Sequence, residues 1–178
     1  MENTKNKMPL SAETFFKNLS EYLDVKLLYF GSIQRDDYFP GKSDIDVDIF
    51  SENEQSTILK MQHFFKSEKH KIKKIVWRLN YNNRLVHGYK TKYVDPNGEF
   101  VAEFSIYNDK FKEDILVEHL GKTVLPYFVT FFLLILKSLH YKIGILNADV
   151  FNYLKKKLLS VCLGTNDDEF VVLDSARN

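Results

Sequence analysis

The sequence predicts an α+β fold, and three observations carry that expectation. Helix-spaced apolar residues open the chain, β-branched and hairpin-like runs fill its middle, and three helical segments close it. The 178 residues suffice for one core, and 44% hydrophobic with 28% charged residues is the composition of a soluble globular chain. One domain over 1–178 is therefore expected. It would have an α/β core over about 10–107, a helical layer over about 108–163 and a flexible tail over 165–178.

Residues 1–9 are polar and lysine-rich and read as a frayed end. Phe15, Phe16, Leu19, Tyr22 and Leu23 then have helical spacing, with Ser11 placed as a cap and Glu13 in the first turn. Residues 25–30 read as a buried strand that delivers Gly31-Ser32 at its end. The following polar stretch carries Tyr38-Phe39-Pro40-Gly41, a folded-loop signal. Ser51 and Glu54 stand as in a capping box ahead of a helix over roughly 52–68. A strand is expected over 71–79. Two more, over 84–94 and 100–107, flank the turn sequence Asp95-Pro96-Asn97-Gly98. Helices are expected over about 109–120, 124–142 and 147–162, the second entered through Pro126. Its apolar run over 124–136 is about thirteen residues long, against about 20 for a membrane crossing, and predicts a buried helix. The short run Phe170–Leu173 suits a further strand and receives no role.

The chemistry concentrates in Ser43-Asp44-Ile45-Asp46-Val47-Asp48-Ile49. Alternation on a strand puts the three carboxylates on one face and the three β-branched residues on the other. A row of acids repels itself unless a cation sits there, which suggests a divalent metal site. A calcium loop is the competing reading, but it needs Gly at its sixth position, where Ile49 stands. In the later strand Ala102, Phe104 and Ile106 share one face, and Glu103 and Ser105 the other. A carboxylate between Ala and Phe is costly to bury unpaired, so Glu103 is expected to meet Asp44 and Asp46 on an adjacent strand. Its bland alternative is an exposed edge residue.

Gly31-Ser32, then Asp44-Ile45-Asp46, then the isolated acid of Ala102-Glu103-Phe104 resemble the DNA polymerase β-like nucleotidyltransferase superfamily. The likeness covers about residues 25–107. It implies a mixed sheet with a metal site on one rim, and transfer of a nucleoside monophosphate from an NTP to a hydroxyl with release of pyrophosphate. It also implies that Asp44, Asp46 and Glu103 bind two Mg²⁺ ions, with Mn²⁺ able to replace them, and that Glu103 serves as general base. Gly31 and Ser32 would hold the triphosphate of the NTP, with ATP the first candidate. Leu136-Lys137-Ser138-Leu139-His140 resembles the segment of template-independent members whose lysine contacts the triphosphate. A lysine snorkelling from a core helix is the rival reading of Lys137. Arg35 and Lys42, in the loop over the site, are further phosphate candidates, although Asp36 stands where the family often has glycine. Asp48 lies about 7 Å beyond Asp46 at about 3.4 Å per residue and is given a supporting role.

The acceptor stays open among nucleic acid, protein and small molecule. A non-catalytic antitoxin or regulatory module on the same fold is the alternative function. The net charge of +1 gives no global nucleic-acid signal, and Lys155-Lys156-Lys157 reads as a wet helix face. The lysines at 66, 69, 71, 73 and 74 read as a solvated helix end, with an RNA backbone the sharper alternative. Tyr81, Tyr89 and Tyr93 are weighed between base stacking and packing, and the five histidines show no ligand spacing. The single Cys162 leaves no intramolecular disulfide, and the segment MENTKNKMPLSAE lacks a signal-peptide core. A cytoplasmic protein without a membrane anchor is expected.

Overall fold

The computed structural model describes residues 2–66, 72–163 and 170–173. Helix α1 (Leu10–Leu23) leads into strand β1 (Leu27–Phe30), a 3-10 turn (Gly31–Gln34) and strand β2 (Ile45–Ser51). Helix α2 (Glu54–Phe65) and strands β3 (Lys73–Arg78), β4 (Leu85–Val94) and β5 (Val101–Asn108) follow. Helices α3 (Lys112–Thr123), α4 (Tyr127–Ser138) and α5 (Ala148–Leu163) form the C-terminal layer, and β6 (Phe170–Leu173) returns to the sheet. The strands form one mixed sheet in the order β1-β2-β5-β4-β3-β6. β2 and β5 run parallel, and the other neighbouring pairs run antiparallel.

Strand alternation divides the sheet into two faces of different chemistry. On one face Ile45, Val47 and Ile49 of β2 join Ala102, Phe104 and Ile106 of β5, all fully buried. Phe16 and Leu19 of α1 and Met61 of α2 pack onto them, and Phe15 stacks on Tyr93 at 4.3 Å. Truncating a buried phenylalanine costs about 3–5 kcal/mol, so this aromatic layer fixes the central strands. The opposite face has two zones. Its far half is apolar, with Leu28, Phe50, Trp77 and Tyr107 closed over by Phe111 and by Ile115 of α3. Its near half carries the acids.

Two caps differ from expectation. α1 begins at Leu10 after Pro9, without a side-chain cap, so Ser11 lies inside the first turn with its hydroxyl buried and unpartnered. β2 continues through Ser51, so Asn53 caps α2 by accepting from the Ser56 N–H at 3.0 Å. The Ser51 hydroxyl instead accepts from the Asn53 N–H and from the Thr57 hydroxyl.

The helix expected to be buried is largely not. Val129, Leu133 and Lys137 form its packed stripe, whereas Tyr127 is 93% exposed and Phe128, Phe131 and Phe132 are at least half exposed. One stripe at a four-residue repeat is all that its described neighbours cover. No described helix is long and apolar enough to cross a membrane. The tail expected over 165–178 lies outside the described residues except for β6, which pairs with β3. His70 and the lysines at 69 and 71 of the expected basic cluster also lie outside them.

Candidate active site

Parallel pairing of β2 and β5 sets Asp46 directly opposite Glu103, and Asp48 opposite Ser105. Asp44 precedes the first residue of β2. The three acids expected at the site therefore lie on one rim of the sheet, and all three line one cavity of about 390 Å³. Burial, and then the charge of Glu103, push the Asp46 carboxyl up to about 6.

β4 adds two residues that motif reading passed over. The hairpin register places Lys92 opposite Glu103 and Lys90 opposite Ser105, both on the acidic face. Lys90 Nζ stands 2.7 Å from Glu103 Oε2, and Lys92 Nζ lies 3.2 Å from Asp44 Oδ2 and 3.8 Å from Glu103 Oε1. Burial works to raise the Glu103 pKa, but the charge and hydrogen bond of Lys90, with Lys92 and Lys155 behind it, outweigh burial and hold it below its ordinary value. Among the described residues, no three acid, histidine or cysteine side chains converge closely enough to share one ion as they stand. Counting back from the turn would have revealed the two lysines. Val94 pairs with Val101, and alternate residues before and after that pair share a face.

Gly31 and Ser32 occupy the first turn after β1, against the acids. Gly31 adopts φ +68°, and a β-carbon there would run into the Asp46 carboxylate. Glycine is thus needed both for the left-handed backbone and for the space that Asp46 fills. Gly31→Ala is expected to cost at least about 1 kcal/mol in stability and to displace Asp46. Urea melts and metal titration of the variant would check both, and unchanged values would show that the turn tolerates a side chain. Ser32 lines the cavity beside it, largely buried.

The loop from 35 to 43 is held from inside. Arg35 Nε and Nη2 donate to both Asp37 carboxylate oxygens at 2.8 and 3.2 Å. Lys137 Nζ stands 2.9 Å from Asp37 Oδ2 and donates to the Asp37 carbonyl at 2.7 Å and to the Ser43 hydroxyl at 3.3 Å. Lys137 therefore lines the cavity with its amine engaged by the loop. Arg35 also lines it, whereas Lys42 is exposed and away from it, and Asp36 pairs with Lys5 at the surface.

Asp48 is buried and does not line the cavity. His119 Nδ1 of α3 lies 2.6 Å from its Oδ2, and the His119 ring stacks on Phe30 at 4.2 Å. This pair ties α3 to the central strand and gives Asp48 a structural partner 71 residues away. The helical layer supplies the opposite wall through Tyr141, Phe151, Asn152 and Lys155. Lys155, read from sequence as part of a wet face, is on the cavity. Of the three tyrosines weighed for base stacking, Tyr93 packs on Phe15, Tyr89 accepts from Gln55, and Tyr81 donates to Asp114.

A mixed α+β sheet with paired acids behind a glycine-serine turn defines a polymerase β-like nucleotidyltransferase fold. The chain belongs to the nucleotidyltransferase domain family, whose family model matches residues 12–121. Solved structures similar to it include the polymerase core of TRAMP, an RNA surveillance complex, at 20% identity and TM-score 0.44, over 74% of this chain and 42% of that one. The Cid1 poly(U) polymerase bound to MgGTP is similar at 19% identity and TM-score 0.42, over 73% and 40%. A mutant of that polymerase bound to MgATP gives 17% and 0.43, over 77% and 42%. This chain thus spans about two fifths of the solved chains it matches. No curated protein gives a significant match.

Proposed function

We propose that the protein is a divalent-metal-dependent nucleotidyltransferase that moves a nucleoside monophosphate from an NTP to a hydroxyl acceptor. The observation that carries this reading is the Asp46–Glu103 pairing across β2 and β5, in a cavity also lined by Gly31, Ser32 and Lys155. The donors suit Mg²⁺ or Mn²⁺, which take carboxylate and phosphate oxygen. The Asp46 carboxyl, raised first by burial and then by the charge of Glu103, is a group whose ionised form a bound cation would stabilise. Asp44, Asp46 and Glu103 would hold two ions once Glu103 and Asp44 leave their lysines. Bound there, the ions would supply charge neutralisation on the phosphates and a lower pKa for the attacking hydroxyl.

The chain's own residues cover the remaining tasks. The Gly31 backbone and the Ser32 hydroxyl hold the triphosphate, and Lys155 faces it from α5. Lys137, whose amine is engaged by Asp37 and Ser43, shapes the cavity by pinning the loop. The acceptor oxygen bonds to the α-phosphorus while the α–β P–O bond breaks. Pyrophosphate leaves, and the hydroxyl proton passes to the Glu103 carboxylate. Tyr141 offers a ring for a base, and Asn152 offers an amide. ATP is the first NTP to test, and RNA ends, proteins and small molecules are the acceptors.

The lysine pairing of Glu103 and Asp44 is the one observation that favours a non-catalytic binding module instead. Incubation with Mg²⁺ and each labelled NTP, with pyrophosphate release as readout and Asp44→Ala as control, separates the two. Release by the native chain alone supports transfer. Absence of both release and Mg²⁺-dependent NTP binding overturns it.

A further inference from the structure

Lys90 and Lys92 are not explained by the transfer chemistry alone. They point from β4 onto the acidic face because the antiparallel register with β5 puts both there. Their ammonium groups take up oxygens of the two acids that Asp46 needs as co-ligands. Lys90 holds Glu103 Oε2 at 2.7 Å, and Lys92 spans Asp44 Oδ2 at 3.2 Å and Glu103 Oε1 at 3.8 Å. In this arrangement no three-ligand group forms among the described residues. Asp46 rests against Gly31.

We infer that Lys90 and Lys92 are built-in counter-cations that compete with the divalent metal for Glu103 and Asp44. This rests on the nucleotidyltransferase reading above and concerns how that site admits its metal. The Lys90 and Lys92 side chains are 40% and 50% exposed, so both can swing away without unpacking the core. A polyphosphate entering the cavity, which Lys90 lines, offers that ammonium alternative oxygens and releases Glu103 at the same moment. Metal and nucleotide then bind cooperatively, each strengthening the other by the same factor, as thermodynamic linkage demands. A lysine pair that stood away from the acids and only contacted substrate would leave metal affinity in the nucleotide-free protein unchanged on neutral replacement. The two roles therefore differ in a quantity that needs no catalysis.

The test is a Mn²⁺ titration of the nucleotide-free full chain, followed by electron paramagnetic resonance of free Mn²⁺. Lys90→Met is expected to bind Mn²⁺ about fivefold more tightly than the native chain, the upper scale of a part-exposed ion pair. Lys92→Met should shift in the same direction, and Lys90→Arg should keep native affinity because it keeps the charge. Circular dichroism checks that each variant folds, and Lys92→Met reads the effect independently if Lys90→Met does not fold. Folded Met variants that bind Mn²⁺ no more tightly than native overturn the inference. If the native chain nevertheless releases pyrophosphate, the transferase reading stands while the counter-cation role falls. If no variant binds Mn²⁺ and no pyrophosphate appears, both fall.

Discussion

Asp46→Asn is expected to lower nucleotidyl transfer by at least about 10³-fold, and in metal-free protein to raise stability. The first effect follows from its place in the acid group: loss of several kcal/mol of metal-mediated charge stabilisation is about three powers of ten in rate. The second follows from its raised pKa, whose largest cause is burial and whose next is Glu103. Below the ordinary value of 3.8, folded and unfolded chains both carry the proton, and no penalty exists. As pH climbs towards about 6 the unfolded chain ionises first, so the fold loses stability through that window. Above about 6 both are ionised and the penalty is full. A shift of about two pKa units corresponds to nearly 3 kcal/mol, and partial solvent access reduces this to about 1–2. Urea melts in chelator should therefore show Asp46→Asn gaining stability between about pH 4 and 6 and holding the gain above. A gain that is flat with pH, or absent, would show that burial and Glu103 do not burden this carboxylate.

The strands that carry Asp46 and Glu103 were legible because strand alternation is strict and each acid sits between apolar residues. The hairpin was legible from Asp95-Pro96-Asn97-Gly98. The lysines opposite Glu103 were not singled out, since their face depends on the register across that turn. A slip of one residue would send Lys90 and Lys92 to the apolar face and Tyr89 and Thr91 to the acids. The Asp48–His119 contact spans α3, whose docking no local pattern encodes. The exposure of α4 departs from expectation for a related reason. Apolarity on every side reads as burial only if neighbours exist on every side, and the described neighbours cover a single stripe. Lys155 shows the converse, because a run of three lysines on a helix puts each on a different side, and only contact with the cavity distinguishes one of them.

Asp37→Ala is expected to be the most destabilising single change near the site, by about 3–5 kcal/mol, because it strands two buried cations. Arg35 is nearly buried and Lys137 is 2% exposed, and Asp37 is fully buried between them. Burial alone would raise the Asp37 pKa, but the Arg35 hydrogen bonds and charge, followed by Lys137, outweigh it and hold the carboxyl below its ordinary value. An acid depressed in the fold stabilises it fully above its unfolded value of 3.8, and that contribution is lost as pH falls through the lower folded value. The native loop should thus loosen only in strong acid. Lys137→Met should cost less, about 1–3 kcal/mol, since Arg35 still pairs both Asp37 oxygens. In Asp37→Ala/Lys137→Met the buried ammonium and the buried carboxylate leave together, so only Arg35 is left without its partner. A coupling of about 2 kcal/mol or more is expected from the double-mutant cycle in urea. Additive losses would instead mean that Lys137 does not depend on Asp37. In that case its amine would be available to the triphosphate, and Lys137→Met would weaken nucleotide binding without loosening the loop.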